Sequence, residues 1–358
     1  MSVSKLSEEM AKAGCTVEVF TTTANGTEEL TTTPNSRHML DGVIVTYFKR
    51  VTKDHTHFSP DLLKRLRREI KDFDIVHIHA WWNFVSLLSC LIAIKSGVPV
   101  VISPRGTLST YSFSNRNTMP KQLIHHLLGK YLLRKSFIHV TSDHESEAIL
   151  KLTEQKGIFN IPNFIKLPKR QMEMSLPEGS LKMIFFSRIE EKKGLEILFE
   201  ALKAIDISYS LTIAGEGTPS YIGKLKKLAK DNNLENHLEW IGFRKEDKFD
   251  ILHRHHLMVL PSYDESFGNV VIESLSVGTA VLLSENVGLS RYVEDNNWGW
   301  ICENNPAALK SGIERANKER AKLIEIRETA PFRIEKDFNE TYLKTRYLNM
   351  YHQILKNG

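Results

Sequence analysis

The chain has 358 residues, 41% hydrophobic and 25% charged, the balance of a soluble globular protein too long for one ordinary core. Cys15, Cys90 and Cys302 lie far apart with no Cys-x-x-Cys spacing, which argues against a disulfide framework or a zinc site and for a reducing cytoplasm. The net charge of +5 is uneven, with 23 Lys and Arg against 16 Asp and Glu up to Ser175 and 25 against 27 beyond it.

A basic first half implies an anionic partner. A phosphate-bearing acceptor and an anionic membrane surface both fit. Nucleic acid does not, because no nucleic-acid motif or aromatic-interleaved basic run is present. The apolar run "FVSLLSCLIAI" (84–94) is far shorter than the roughly 20 residues a membrane span needs. The polar opening "MSVSKLSEEMAKAG" reads as a helix, not a signal peptide. The expected location is the cytoplasm, with peripheral contact at the inner face of the membrane.

Short β-branched runs alternate with helical patterns along the chain. The first series of strands is predicted at 16–22, 43–48, 75–80, 98–103, 137–142 and 157–162. The second follows at 182–188, 210–215, 237–243, 257–262 and 280–285. Several are continuous apolar runs, as expected for parallel strands buried on both faces. Helices fill the gaps, one of them over 59–73 with Ser59 at its N-cap and Pro60 in its first turn. The fold class is therefore α/β, with two Rossmann-like, doubly wound parallel-sheet domains. The proline-bearing segment 162–180 reads as the linker, dividing domains of residues 1–172 and 173–337. The tail 338–358 is a helix with Leu343, Tyr347, Tyr351 and Leu355 on one face, and packing onto the first domain is one way to bury it.

In open parallel sheets, ligands sit beyond the C-terminal ends of the strands. The second half aims several loops there. "SRIEEKKG" presents Arg188, Lys192 and Lys193; "GEG" supplies Gly215 and Gly217; "GFR" supplies Phe243 and Arg244. The stretch "YDESFGNVVIES" (263–274) sets Glu265 and Glu273 on either side of Phe267, Gly268 and Asn269. A helix starting at Gly268 and Asn269 offers N–H groups and a dipole to a phosphate. Arg188 and Lys193 add charge to the same diphosphate, with Lys192 read as a solvated neighbour. A carboxylate accepts hydrogen bonds from two adjacent hydroxyls, so Glu273 suits a ribose and Glu265 a second sugar. Acid, phosphate seat and acid together match a nucleotide sugar.

These residues resemble glycosyltransferase family 4, enzymes of the GT-B fold in which two domains face a cleft. The likeness rests on "SRIEEKKGLEILFEAL", "LTIAGEG", "WIGF" and, above all, "LPSYDESFGNVVIESLSVGTAV". The earlier "VHIHAWWN" and "ISPRGTLS" look like members that build surface polysaccharides. The resemblance implies Arg188 and Lys193 on the diphosphate, Glu273 on the ribose and Glu265 on the transferred sugar. It also implies retention of anomeric configuration, no cofactor, no bound metal, and a last helix crossing back onto the first domain. Two departures stand out. Arg291 occupies a position where members commonly carry Glu, which bears on nucleotide or sugar choice. The family also opens with a strand and glycine-rich loop ahead of the helix at which this sequence begins. About 15–20 further residues are therefore expected upstream.

The first half contributes His79, at the end of the strand "IVHIHA", and Arg105 in "SPRG", where many relatives place a histidine facing the cleft. His79 reads equally as a core residue. The polar loop 107–121 reads as an acceptor contact or a surface loop. "HRHH" (253–256) and "DFD" (72–74) resemble metal motifs, but their spacing and placement favour helix-end and turn residues. The expected partners are a UDP- or GDP-sugar donor and a saccharide or polyprenyl-diphosphate-linked acceptor. A nucleotide-sugar epimerase or hydrolase of the same fold, and a non-catalytic nucleotide-sugar-binding protein, stay open as alternatives.

Overall fold

The computed structural model describes residues 2–26, 28–52, 54, 56–109, 111–112, 122–168 and 179–357. Residues 169–178 of the expected linker, and 110 and 113–121 of the polar loop, lie outside them. The chain divides into two compact units, Met1–Phe164 with Glu340–Gly358, and Ile165–Asn339.

The first unit holds β1 (Glu18–Thr22), β2 (Ala24–Asn25), β3 (Glu28–Glu29), β4 (Arg37–Leu40), β5 (Val43–Phe48), β6 (Val76–His79), β7 (Val100–Ser103), β8 (Phe137–Val140) and β9 (Gly157–Asn160). Its strands do not join into the single sheet expected from the alternating pattern. One sheet has the order β1-β5-β4 and another, wholly parallel, the order β6-β7-β8-β9. Among the described residues no ladder connects β1 to β6. Apolar pattern identifies strands, but edge pairing between them is a long-range property that the pattern does not encode. The antiparallel β4, missed in the sequence, is short and mostly exposed, so it carries little hydrophobic signal.

The second unit holds β10 (Leu181–Phe186), β11 (Tyr209–Ala214), β12 (Leu238–Gly242), β13 (Leu257–Leu260), β14 (Ala280–Ser284) and β15 (Gly299–Cys302). They form one parallel sheet of order β12-β11-β10-β13-β14-β15. Every residue of β13 and β14 is buried, which accounts for their unbroken apolar runs. Chain order steps outward from β10 in both directions, so the ends of β10 and β13 meet where the winding reverses. Helices between the strands start on side-chain caps: Thr218 accepts from Tyr221 N, and Asn305 from Ala308 N.

The final helix, Glu340–Asn357, packs within the first unit and buries Leu343, Tyr347, Met350 and Ile354. The predicted face of residues four apart is corrected at its far end, where Leu355 is exposed. Steps of four drift around a helix of 3.6 residues per turn, and the buried steps of four, three and four stay in line. No helix of the described residues is long and apolar enough to cross a membrane.

Candidate functional site

In the second unit, the loops beyond β10, β11 and β13 are stitched together by their backbones. Tyr263 N donates to Lys192 O at 2.9 Å, and Ile189 N donates to Glu216 O at 2.7 Å. Ile189 bridges Gly217, and Gly215 N donates to Gly242 O at 2.9 Å. Glycines make this closeness possible, Gly217 at the Ile189 bridge among them. Gly194 has φ +71°, and a Cβ there would stand 2.1 Å from Pro261 O. A Cβ on Gly215 would stand 1.9 Å from Ser187 O.

The stitched loops bring basic and acidic side chains into pairs. Lys193, 7% exposed, sits on a short 3-10 turn and forms an ion pair with Glu265. The backbone of Glu265 is tied down on both sides, its N–H donating to Asn286 O and its carbonyl accepting from Gly288 N. Lys192 Nζ reaches Asp264 Oδ2 at 2.6 Å, so this lysine has a defined partner and is not a simple solvated neighbour. Lys248 Nζ reaches Glu273 Oε1 at 2.5 Å, with both side chains mostly buried. Gly268, at φ +88°, turns the chain into the helix Asn269–Leu275 that carries Glu273. Arg188 is exposed and pairs with Glu190 at 2.8 Å. Phe243 is exposed at the end of β12, and Arg244 beside it pairs with Asp247.

Phe267 is a correction. Its ring is 2% exposed and packs edge-on against Phe338, centroids 6.3 Å apart, so it supports the turn from the core side. What Phe267 can present to a ligand is backbone. The "HRHH" histidines also differ from simple surface groups: His256 is buried with Nδ1 accepting from Lys182 N at 2.8 Å. His255 donates to Ile251 O at 2.7 Å. Both rings satisfy backbone groups at the helix end and the sheet.

In the first unit the structure brings His79 and Arg105 together. Arg105 Nε donates to His79 Nδ1 at 3.2 Å, and Arg105 Nη1 donates to Asn163 Oδ1 at 2.8 Å. Burial, then the Arg105 charge, holds the His79 pKa well below the ordinary imidazole value. With Nδ1 accepting, the neutral ring carries its proton on Nε2, which makes His79 a hydrogen-bond donor there. Arg105 itself adopts φ +53°, an uncommon conformation for its residue type. Glu145 holds this turn by accepting from Gly106 N at 2.7 Å and Thr141 N at 3.0 Å.

Behind His79 runs a one-way chain of hydrogen bonds. His139 Nε2 faces the carbonyl of Ile161 at 2.9 Å, so it must donate. Its Nδ1 therefore accepts from Ser103 Oγ at 2.6 Å. The Ser103 oxygen accepts in turn from His77 Nε2 at 2.7 Å, and His77 Nδ1 from Tyr351 OH at 2.8 Å. The final helix is thereby tied to β6, β7 and β8 through three side chains.

Lys248, Glu145 and Asn163 were not singled out in the sequence, and Tyr351 was read only as part of an apolar helix face, not as a partner of His77. Glu145 had a signal, since Ser142-x-x-Glu145 has the spacing of a capping box, and Ser142 Oγ accepts from Glu145 N at 3.2 Å. Lys248 had none, because its importance arises only from contact with Glu273.

Comparison with known proteins decides the family. The model described as Glycosyltransferase Family 4 matches residues 1–167, and the one described as Glycosyl transferases group 1 matches residues 169–331. The chain belongs to glycosyltransferase family 4. It is a glycosyltransferase enzyme, 22% identical over 342 residues to the D-inositol 3-phosphate glycosyltransferase of Pseudarthrobacter chlorophenolicus, covering 86% of this chain and 78% of that one. Its fold matches sucrose-phosphate synthase from Thermosynechococcus elongatus with a TM-score of 0.77 at 18% identity, over 99% of this chain and 93% of the other. HepE of Anabaena, in complex with UDP-glucose, matches with a TM-score of 0.69 at 17% identity, over 86% of each chain. The family 4 transferase therefore has the two-domain α/β architecture anticipated from its strand pattern, and the GT-B fold that the family resemblance implied.

Proposed function

We propose that this family 4 transferase moves a sugar from a UDP- or GDP-sugar to a saccharide or polyprenyl-diphosphate-linked acceptor in surface polysaccharide synthesis, with retention of configuration. The observation that carries the donor reading is the pairing of both motif acids with lysines, Lys193 with Glu265 and Lys248 with Glu273, on either side of the Gly268 turn. The array offers carboxylates for hydroxyl groups and cations for a diphosphate on the stitched loops and on the short helices Lys248–His253 and Asn269–Leu275. The solved HepE complex with UDP-glucose supports a nucleotide-sugar donor, and motifs of the first half support a saccharide product.

In this reading the bond from the anomeric carbon to the diphosphate oxygen breaks, and a bond to the acceptor hydroxyl forms. Lys193, Arg188 and the N–H groups at Gly268 and Asn269 stabilise the negative charge on the departing diphosphate. Glu265 stabilises positive charge at the anomeric carbon and orients the sugar. The acceptor proton leaves with the diphosphate, so no side-chain base is required. His79, with its Nε2 protonated, fits a donor to substrate oxygen better than a base. The reading calls on no metal or cofactor.

Titration calorimetry with UDP and GDP, followed by product detection across a panel of UDP-, GDP- and ADP-sugars, tests this reading. Binding and transfer with one nucleotide class is the expected result. Nucleotide binding with no transfer to any saccharide or polyprenyl-diphosphate acceptor would overturn it.

A further inference from the structure

From Ile75 to Ser142 the chain carries seven Lys and Arg and no Asp or Glu. Within that stretch, residues 122–134 are helical, with a π-helical turn over His125–Gly129 followed by the α-helix Lys130–Arg134. One face is sealed: His125, Gly129, Leu132 and Leu133 are buried, and Ile124 and Leu128 pack on the core of the first unit.

The other face departs from an ordinary solvated helix surface. Leu123, Leu127 and Tyr131 are 60%, 75% and 50% exposed. They recur every four residues, and the wider π turn keeps them closer to one line than an α turn would. Arg134 and Lys135, exposed, and Lys130, half-buried, lie within one turn of Tyr131. Singly exposed leucines are ordinary, but three large apolar groups in line within a cationic frame are not.

We infer that the outward face of helix 122–134 docks the enzyme on the anionic surface of a phospholipid bilayer. Leu123, Leu127 and Tyr131 enter the boundary between headgroups and acyl chains, while the lysines and arginine meet lipid phosphates. Charge complementarity selects an anionic partner. The apolar line selects a bilayer over nucleic acid, since phosphate backbones offer nothing to two leucines. The 68 residues from Ile75 to Ser142 contribute no carboxylate of their own to oppose docking. This inference rests on the proposed function and deepens its acceptor side, favouring the lipid-linked of the two acceptor classes. Docking needs no nucleotide, so its failure is distinct from failure of the donor reading.

Flotation of the full chain with vesicles of phosphatidylcholine alone, and with about one-third phosphatidylglycerol, tests it. The wild type should float with the anionic vesicles and release in high salt. Leu123→Ser with Leu127→Ser should weaken partitioning by about tenfold or more. Lys130→Gln and Arg134→Gln should each cost about fivefold. Melting temperature and UDP binding serve as folding controls. Leu127→Trp, which keeps the apolar face, should gain extra fluorescence quenching by brominated lipid over the wild type. No flotation of the wild type, unchanged flotation of the leucine variant, or no extra quenching in the Leu127→Trp variant would overturn the inference. So would tight binding to duplex DNA that ignores the leucine substitutions and outcompetes vesicles.

Discussion

Lys193 and Glu265 lie 72 positions apart and form an ion pair in which both side chains are largely shielded from water. On the donor reading proposed for this site, the pair sets a cation for the diphosphate against a carboxylate for the sugar. Removing one partner leaves the other buried without its counter-charge, which is costly. Glu265→Gln keeps the shape but loses the negative charge. It should retain UDP affinity within a few-fold and lower the transfer rate by about 10²–10³-fold, as expected for a group that stabilises transition-state charge. Rate assays beside calorimetry check this, and unchanged turnover would remove the role.

Lys193→Met acts on the other member of the pair. It should weaken binding of UDP and of pyrophosphate alike, because the contact it loses is with phosphate. An unchanged pyrophosphate affinity would place Lys193 elsewhere in the reaction.

Lys248 bonds one oxygen of Glu273 and leaves the other for a hydroxyl. Lys248→Met should therefore weaken UDP binding by about tenfold, the scale of a charge-assisted hydrogen bond. The effect should nearly vanish with 2′,3′-dideoxy-UDP, which has no ribose hydroxyls for Glu273. Equal losses for both ligands would show that Lys248 does not act through the ribose site.

Gly194→Ala forces a side chain into a left-handed turn and against the carbonyl of Pro261. The substitution should cost about 1–3 kcal/mol of stability and separate the loop of Lys193 from that of Glu265. Thermal unfolding and UDP affinity should fall together, and a variant with wild-type values in both would refute the close approach.

Burial is the first cause that holds His77, His79 and His139 below the ordinary imidazole value, His139 down to about 3, with the Arg105 charge adding to it. Their folded values are depressed, so the stability they contribute is present above about pH 6.5 and is lost as pH falls from there toward 3. Melting temperature should decline through this window, and His139→Gln should flatten the decline. A pH-independent melting temperature between about 6.5 and 4 would contradict the buried, neutral histidines.

Local information carried far in this chain. Continuous apolar runs marked the strands because parallel strands buried on two faces have no polar side to show. The spacing of Glu265 and Glu273 around Gly268 was visible because a turn and the helix it opens are set by neighbouring residues. Even the capping box at Ser142 and Glu145 was written in four consecutive positions.

Tertiary structure decided everything that depended on which distant residues meet. The first unit's strands fall into separate sheets because edge pairing joins residues far apart in sequence. Phe267 turned inward because Phe338 lies beneath it, 71 positions later. Lys248 mattered only once packing set it against Glu273, and the proton order from Tyr351 to Ile161 required four elements at hydrogen-bonding distance. Spacing thus marked Glu265, Gly268 and Glu273 as one constellation. The partner of each acid was a property of the folded chain, because ion pairs and hydrogen bonds are formed across space and leave no periodic trace in the sequence.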